Sequence, residues 1–386
     1  MAPLIDVKKQ RPLRGVLAAL PIIVAYFLLF PYPLGREVVL RARWRVRLPA
    51  ADAAVTGAGR SAQPPAASTA PFQLGDLYGF VSPDGKLASL ARTPFRVALS
   101  RRGSVAYARI GGTWMLDGPS GQALASFSGD GYPLLGPDGD RIFLVKTDLT
   151  GLTELAEAGE AAWTRDFPSM LTSVAVAGDW LAAGLLNGSV SLVDRRGGVV
   201  FEQAPAGSRL PAAFGVAVTA DGARLAAVTG IDPQQLTIWR RSRGGYSPSA
   251  RVPLGSEFRR EVRVAFSADG RSLACEAAGA AAIVDTAGGG RSMVALPGRL
   301  TGIAFLGPSD GRAGAWFLAA RDGAGAEIAA VRPPGAVLAR VPLGRRAAEA
   351  IAQGAWTPDS PSLGVAGDTV LVAFAGSLVG LGLEAR

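Results

Sequence analysis

The stretch EVRVAFSADGRSLACEAAGAAAIVDTAGG, from Glu261 to Gly289, decides the fold. It contains an apolar run, an Asp-Gly pair, two further apolar runs and a glycine-rich stop. Asp-Gly tolerates the positive φ angles of a tight hairpin, so it indicates antiparallel strands on either side. A weaker copy, FGVAVTADGARLAAVTG, begins at Phe214, forty-eight residues before Val262. The chain therefore repeats a hairpin unit, and such a repeat determines the architecture before the chemistry of any single residue.

Seven units of this kind can be aligned, with spacings of 36 to 48 residues between them. Their first apolar strands start at Val97, Pro133, Thr172, Phe214, Val262, Thr301 and Ala348. Four short strands in about forty residues is the period of a propeller blade. The sequence thus predicts an all-β fold, a seven-bladed β-propeller of four-stranded antiparallel blades.

The two ends of the repeat array predict how the ring closes. The last unit, from Ala348, has only about three strands, whereas LYGFVSPDGKLASLA (residues 77–91) is a further hairpin with Asp84-Gly85 at its turn. An unpaired strand edge invites aggregation. We therefore expect residues 72–95 to complete the last blade, in a propeller that spans residues 72–386.

Individual units resemble known repeats. VAFSADGRSLACEAAGAAAIVD (residues 264–285) resembles a WD-repeat blade, and TSVAVAGDWLAAGLLNGSVSLVDRRGG (residues 172–198) resembles a blade of the quinoprotein-type propellers. The Asp-x-x-Thr-Gly element of the latter occurs loosely from Asp117, Asp194 and Asp285. The chain has no histidine, so the Gly-His element of WD repeats is absent. The resemblance, over about residues 72–386, implies a propeller with degenerate motifs and makes an assembly role in the cell envelope an expectation.

The N-terminal region predicts a membrane segment. VLAALPIIVAYFLLFPYPL (residues 16–34) is uncharged over nineteen residues, which is about the length that crosses a hydrocarbon core of roughly 30 Å. We expect a basic cytoplasmic tail at residues 1–15 and an uncleaved transmembrane signal anchor at residues 16–35. A cleaved signal peptide and a buried soluble helix are the alternatives.

The charges beside this segment do not fix its orientation, because four Lys/Arg precede it and five Arg follow it closely. Long domains are exported largely regardless of their charge. We therefore expect the propeller on the periplasmic side of a bacterial inner membrane, with a propeller facing the cytosol as the alternative.

The formal charge of +9 does not indicate nucleic-acid binding, because it is concentrated near the N-terminus. Residues 1–60 hold ten Lys/Arg and three Asp/Glu, a net +7, and the other 326 residues hold thirty and twenty-eight, a net +2. A nucleic-acid module concentrates basic charge on its folded domain. We expect no nucleic-acid partner.

REVVLRARWRVRLP (residues 36–49) alternates arginine with apolar residues, the period of a strand with two different faces. In one interpretation its arginines and tryptophan contact anionic lipid or an acidic partner. In the other it is an extended stalk or an edge strand guarded by charge. Residues 36–71 are predicted as this strand and a flexible linker. The candidate contact residues are Arg41, Arg43, Trp44, Arg45 and Arg47.

Catalytic chemistry has little support in the sequence. Without histidine there is no Ser-His-Asp or Cys-His pair and no imidazole metal ligand. The single cysteine, Cys275, lies in an apolar run and is expected to be buried. The recurrent turn aspartates, such as Asp221 and Asp269, are expected to cap backbone groups. We predict no catalytic residue, no metal and no cofactor.

The loop RRSRGGYSPS (residues 240–249) lengthens its unit and is the second predicted contact region. Its candidate residues are Arg240, Arg241, Arg243 and Tyr246. The predicted function is a membrane-anchored scaffold or assembly factor that binds protein partners in the cell envelope. The alternative is a propeller enzyme, a hydrolase or lyase that uses carboxylates and arginines near the central channel.

Overall fold

The computed structural model describes residues 38–49, 69–108, 111–156, 159–205, 207–308, 313–323, 325–343 and 361–385. Leu40–Leu383 forms one compact unit. A second unit comprises Met1–Val39 and Glu384–Arg386. Of this unit, the structure describes only residues 38, 39, 384 and 385. Within these ranges every regular element is a β-strand, and the strands form eight antiparallel sheets.

The strands follow the chain blade by blade, apart from the first. Strand β1 (Val38–Arg47) precedes blade 1, which has β2 (Ala70–Leu74), β3 (Leu77–Val81) and β4 (Leu87–Arg92). Blades 2 and 3 comprise β5 (Arg96–Leu99), β6 (Ser104–Tyr107), β7 (Gly112–Asp117), β8 (Ala123–Gly129), β9 (Tyr132–Leu135), β10 (Ile142–Val145), β11 (Gly151–Leu155) and β12 (Ala161–Asp166). Blades 4 and 5 comprise β13 (Leu171–Ala177), β14 (Trp180–Leu185), β15 (Val190–Val193), β16 (Val199–Gln203), β17 (Ala213–Val218), β18 (Arg224–Thr229), β19 (Gln235–Ser242) and β20 (Gly245–Pro253).

Blades 6 and 7 comprise β21 (Val264–Phe266), β22 (Ser272–Ala277), β23 (Ala280–Asp285), β24 (Arg291–Ala295), β25 (Arg299–Leu306), β26 (Ala315–Arg321), β27 (Ala326–Arg332) and β28 (Ala336–Leu343). Blade 8 comprises β29 (Ser362–Ala366), β30 (Thr369–Phe374) and β31 (Ser377–Ala385), with β1 beside β31 at its outer edge. First strands of neighbouring blades contact one another, for example β13 with β17 and β29 with β2. The first strands therefore line the centre of a ring.

The core consists of layers between neighbouring blades. Between blades 5 and 6, Val228 and Ile238 pack with Leu273 and Cys275, and all four side chains are fully buried. Second and third strands such as β22 are buried along their whole length. A short continuous apolar run is the pattern expected of a strand covered on both faces. The predicted burial of Cys275 is confirmed.

The β-propeller predicted from the repeat is confirmed, but the number of seven blades is wrong, because the structure has eight. Six of the seven predicted first strands begin within two residues of the structure, and Ala348 lies outside the described residues. The prediction that residues 72–95 close the last blade is also wrong. Most of those residues lie in blade 1, where β3 and β4 pair with β2 as the inner strand.

The ring closes instead through β1, which is the outer strand of blade 8. The backbone N–H of Leu48 donates to the carbonyl of Gly376 at 2.8 Å. From β1, the indole N–H of Trp44 donates to the carbonyl of Pro83 in blade 1 at 2.6 Å. The indole ring lies against Gly85, whose φ is +88°. Trp163 lies in the same way on Gly197, and Trp180 on Gly222. Each contact joins one blade to a turn of the next.

No helix of membrane-spanning length and apolarity occurs among the residues that the structure describes. The predicted tail at residues 1–15 and the predicted span at residues 16–35 fall outside them. The transmembrane helix of the predicted fold class therefore has no support in the described part of the chain, where β1 joins the propeller.

Candidate interaction surface

The ring has two faces that differ in their loops. The loop face carries the connections into each first strand and the turns between second and third strands. The Asp-Gly face carries the turns between first and second strands and those between third and fourth strands, including Asp221-Gly222 and Asp269-Gly270. Partner-binding residues of rigid scaffolds are concentrated in such loops.

Three large apolar side chains are exposed on the loop face of blades 4 and 5. We call Met170, Leu186 and Leu210 the apolar patch; their exposed fractions are 42%, 51% and 45%. The backbone N–H of Leu186 donates to the carbonyl of Met170 at 2.8 Å. The turn at Gly188 lies directly against Pro211, where an added Cβ would come within 2.0 Å of the Pro211 carbonyl oxygen. The three loops are thus in sequential contact, and clustered exposed apolar side chains mark interaction sites.

Hydrogen bonds hold the neighbouring loops in one conformation. The hydroxyl of Ser208 accepts from the N–H groups of Leu210 and Ile231, each at 3.2 Å. The buried amide of Gln234 donates to the carbonyl of Phe258 at 3.0 Å and accepts from the Ser256 hydroxyl at 2.7 Å. Loops that are already ordered lose little conformational entropy when a partner binds. These hydrogen bonds restrain the loop that carries Leu210 and the loops beside it.

A charged pair lies further around the same face. Arg260 donates to the buried carboxylate of Glu276 through two hydrogen bonds of 2.9 and 2.6 Å, and its guanidinium lies 4.4 Å from the ring centre of Phe258. The hydrogen bonds to Glu276 raise the pKa of Arg260, against the opposing effect of burial. Glu276 also accepts from the N–H of Leu300 at 3.3 Å. This pair joins the loop before β21 to blades 6 and 7 and serves packing.

The central channel contains a cavity of about 250 Å³ at the first strands of blades 4 to 7. Val174, Val216 and Ile303 contribute to its walls, and Glu261 and Arg263 are its charged lining residues. Burial lowers the pKa of Arg263, while Glu261 and Glu276 oppose that effect. The predicted alternative uses carboxylates and arginines that converge near the central channel. The lining of this cavity has one carboxylate, so it does not favour the enzyme alternative, which stays a prediction.

Three of the predicted contact residues on β1 take part in ring closure: Trp44, described above, and Arg43 and Arg45. Arg43 forms an ion pair with Asp368 at 2.6 Å and donates to the Thr369 hydroxyl at 2.9 Å. Arg45 donates to the hydroxyl of Ser377 at 3.2 Å. The strand is an outer edge with charged side chains, as in the edge-strand interpretation. Contact of Arg41, Arg43, Trp44, Arg45 and Arg47 with a membrane or partner stays a prediction.

The second predicted contact region, the β19–β20 hairpin, lies on the Asp-Gly face. The guanidinium of Arg241 is 5.4 Å from the ring centre of Trp180, and the hydroxyl of Tyr246 donates to the carbonyl of Gly222 at 2.5 Å. Burial raises the pKa of Tyr246. Tyr246 is half-buried at the junction of blades 4 and 5, whereas Arg240, Arg241 and Arg243 are exposed. A partner role for this hairpin stays a prediction.

The apolar patch was missed in the sequence, although a signal exists. Leu186 directly precedes the Asn187-Gly188 turn and Leu210 directly precedes Pro211, so both are apolar residues at turn positions where polar residues are usual. The sequence alone does not show that these turns meet on one face. That conclusion needs the order of the strands in each blade.

Comparisons with known proteins agree with this architecture. A protein of Treponema pallidum (strain Nichols), described as an uncharacterized protein, is 22% identical over 233 residues, which cover 60% of this chain and 61% of that protein. The chain thus matches about three fifths of the length of this curated relative. The crystal structure of BamB from Moraxella catarrhalis aligns with 89% of this chain and all of that chain, with a TM-score of 0.54 and 14% identity. At that identity the likeness shows the fold alone. A family model described as beta-propeller protein matches residues 6–351, and this chain therefore belongs to the beta-propeller protein family.

Proposed function

We propose that this protein is an interaction scaffold or assembly factor of the bacterial cell envelope and that the apolar patch is its docking surface. One observation carries the proposal: Met170, Leu186 and Leu210 are exposed on three loops that contact one another in sequence. Large apolar side chains on a rigid surface give a partner a place to bury apolar area. The propeller fold shared with BamB supplies the broad, rigid disc that such a scaffold requires.

The chemistry of the patch defines what the partner offers. Its centre is aliphatic, and Arg209 beside it is exposed and lies 3.8 Å from Asp232. A partner with apolar side chains at its centre and polar groups of both charges at its rim complements this surface. Interfaces of this kind depend on a few central apolar contacts.

The binding test uses crosslinking followed by affinity measurement. A photoreactive amino acid at Leu186 is expected to give one discrete adduct in intact cells, which mass spectrometry identifies. With that partner purified, Met170→Asp and Leu210→Asp are each expected to weaken binding at least tenfold, about 1.4 kcal/mol, because a carboxylate cannot be buried in an apolar contact.

Leu124 and Met293 provide matched controls, because they are exposed apolar residues on the outer strands β8 and β24. Their replacement by Asp is expected to leave the affinity unchanged. Equal losses at all four positions, or an adduct that forms as well from position 124 as from position 186, would contradict the proposed surface.

The location of the propeller outside the cytoplasm is part of the same proposal. We expect a periplasm-dependent enzyme, alkaline phosphatase, to be active when fused after Arg386, and a fluorescent protein that matures only in the cytoplasm to be dark at the same position. The opposite pair of results would place the propeller in the cytosol and would exclude an envelope partner.

A further inference from the structure

A second cavity, of about 440 Å³, opens on the Asp-Gly face between blades 6 and 7. This volume lies in the range of roughly 300–1,000 Å³ that is typical of small-molecule sites. Blade 6 contributes the turns around Asp269 and Asp285, and blade 7 contributes Phe305 and the Pro333-Pro334 turn. The cavity lies on the opposite face from the apolar patch and is a separate feature.

The apolar wall of this cavity is held rigidly. The half-buried ring of Phe305 packs against Trp316, with ring centres 4.9 Å apart, and the Trp316 indole donates to the hydroxyl of Ser272 at 3.0 Å. Pro308, with the Pro333-Pro334 turn, extends the apolar lining. An aromatic ring and prolines lose little conformational freedom when a flat or aliphatic group packs on them.

The charged groups of the cavity divide into two kinds. The carboxylates stabilise their own turns: Asp269 accepts from the Ser267 hydroxyl at 2.7 Å, and Asp285 accepts from the N–H of Ala287 at 3.1 Å. The guanidinium groups of Arg271 and Arg332 are exposed and form no ion pair with any described residue. The anionic groups therefore have hydrogen-bond partners inside the fold. The charge of Arg271 favours the ionised form of Asp269, but Arg271 forms no ion pair with it, so the guanidinium donors stay available to a ligand.

We propose that this cavity binds a small organic acid whose carboxylate contacts Arg271 and Arg332 and whose apolar body packs on Phe305. Guanidinium groups recognise carboxylates through paired hydrogen bonds. Among the described lining residues the two turn aspartates balance the two arginines, so a singly charged acid fits better than a multiply charged anion. This inference is independent of the protein partner proposed above.

The test measures binding of indole-3-propionate to the full-length protein by calorimetry or by ligand-observed NMR. The acid is expected to bind saturably, and its neutral amide and the cationic amine tryptamine at least tenfold more weakly, because only the acid has a negative charge that strengthens its hydrogen bonds from the arginines. Arg271→Ala and Arg332→Ala are each expected to weaken acid binding at least tenfold. Arg240→Ala and Arg243→Ala, at exposed positions on the same face, are the matched controls.

Two results would overturn the proposal: equal binding of the acid, the amide and tryptamine, or unchanged affinity in both arginine variants with unfolding curves that match the parent protein. An acetylated and amidated Trp-Asp dipeptide distinguishes the sources of the carboxylate. Tighter binding of the dipeptide than of the free acid would assign the cavity to a peptide segment instead of a small acid.

Discussion

At the scale of single residues, Arg141 and Glu154 form a buried ion pair. Both side chains are buried, and Arg141 donates to the carboxylate through hydrogen bonds of 2.8 and 2.6 Å. The Nη1 atom of Arg141 donates to the carbonyl of Gly178 in blade 4 at 3.3 Å. The guanidinium also lies 4.8 Å from the ring centre of Phe143. The pair therefore joins two neighbouring blades.

We expect Glu154→Ala to destabilise the protein by about 3–5 kcal/mol, because it leaves the charge of Arg141 buried without a partner. Urea denaturation followed by tryptophan fluorescence measures this loss. Glu327→Ala is the control, since its pair with Arg340 is partly exposed and should contribute less than about 1 kcal/mol. Similar losses in both variants would show that the burial of the Arg141 pair is not what matters.

Sequence could predict the burial of Cys275 but not the pairing of Arg141 with Glu154. The apolar run around Cys275 is a local signal. The ion pair depends on the register of β10 and β11, in which Phe143 lies opposite Glu154. Register is set by packing across the whole sheet, so it is not readable from the two residues themselves.

At the scale of elements, several of the Asp-Gly turns share one hydrogen-bond arrangement. In three of these turns a hydroxyl two residues before the aspartate donates to its carboxylate, from Ser82 to Asp84, from Thr219 to Asp221 and from Ser267 to Asp269. The Asp221 carboxylate also accepts from the N–H of Ala223 at 2.9 Å. The prediction that turn aspartates cap backbone groups is confirmed for this turn.

The turn at Asp84 gives a pH-dependent prediction. Hydrogen bonds from Lys86 and Ser82 lower the pKa of Asp84 to about 2. The ordinary value of an unfolded aspartate is about 3.9, so the ionised carboxylate favours the folded state. Its contribution is complete above that ordinary value and is lost as the pH falls through about 2.

We therefore expect Asp84→Asn to lower the urea midpoint near pH 6, and we expect the difference from the parent protein to shrink between about pH 4 and pH 2. Lys86→Ala, which removes the largest cause of the shift, should move this change to higher pH. A difference that is constant from pH 6 to pH 2 would refute the assignment.

Hairpin signals predicted the turns well and the assembly of hairpins less well. Asp84-Gly85 correctly marks the turn between β3 and β4. The signal does not say which further strand joins that hairpin, because a turn reports only on the two strands beside it. The neighbouring β2 contains Pro71 and a short apolar run and is not conspicuous in the sequence. For this reason the sequence pattern does not show that residues 72–95 form a blade of their own.

At the scale of the whole molecule, closure of the ring depends on Trp44 and Gly85. A Cβ added at Gly85 would lie 2.6 Å from the Trp44 ring, and the residue has a φ of +88°. Gly279 is a matched control, because its φ is +61° but an added Cβ would meet nothing within 4 Å. Comparing an alanine substitution at each glycine therefore separates the cost of backbone strain from the cost of the contact between blades.

We expect Gly85→Ala to destabilise the protein more than Gly279→Ala, whose backbone strain alone costs about 1–3 kcal/mol. In a Trp44→Ala background the two glycine variants should become similar, since the ring that the new methyl group meets is gone. Urea unfolding of the single and double variants measures this coupling. A loss at Gly85 that does not depend on Trp44 would show that the indole plays no part in closure.

The sequence predicted most of the ring but miscounted its blades. Six first strands were placed correctly because each blade repeats the same local hairpins. The alternation in residues 36–49 correctly indicated a strand, but its partner β31 is almost a full chain length away. Local patterning cannot identify such a distant neighbour. The apolar patch could not be predicted for the same reason, because it combines loops from two blades.

The position of β1 has a consequence for how the protein is made. Arg45 contacts Ser377, a residue 332 positions later, so β1 is synthesised long before the strand that becomes its permanent neighbour. At about 5–20 residues per second, this delay lasts on the order of tens of seconds. During that time the arginine-rich strand has no partner strand, and it could pair wrongly with the outer strand of another blade. The alternating positive charges, which repel one another and attract water, thus suit a segment that has to stay soluble and unattached until its partner has been synthesised.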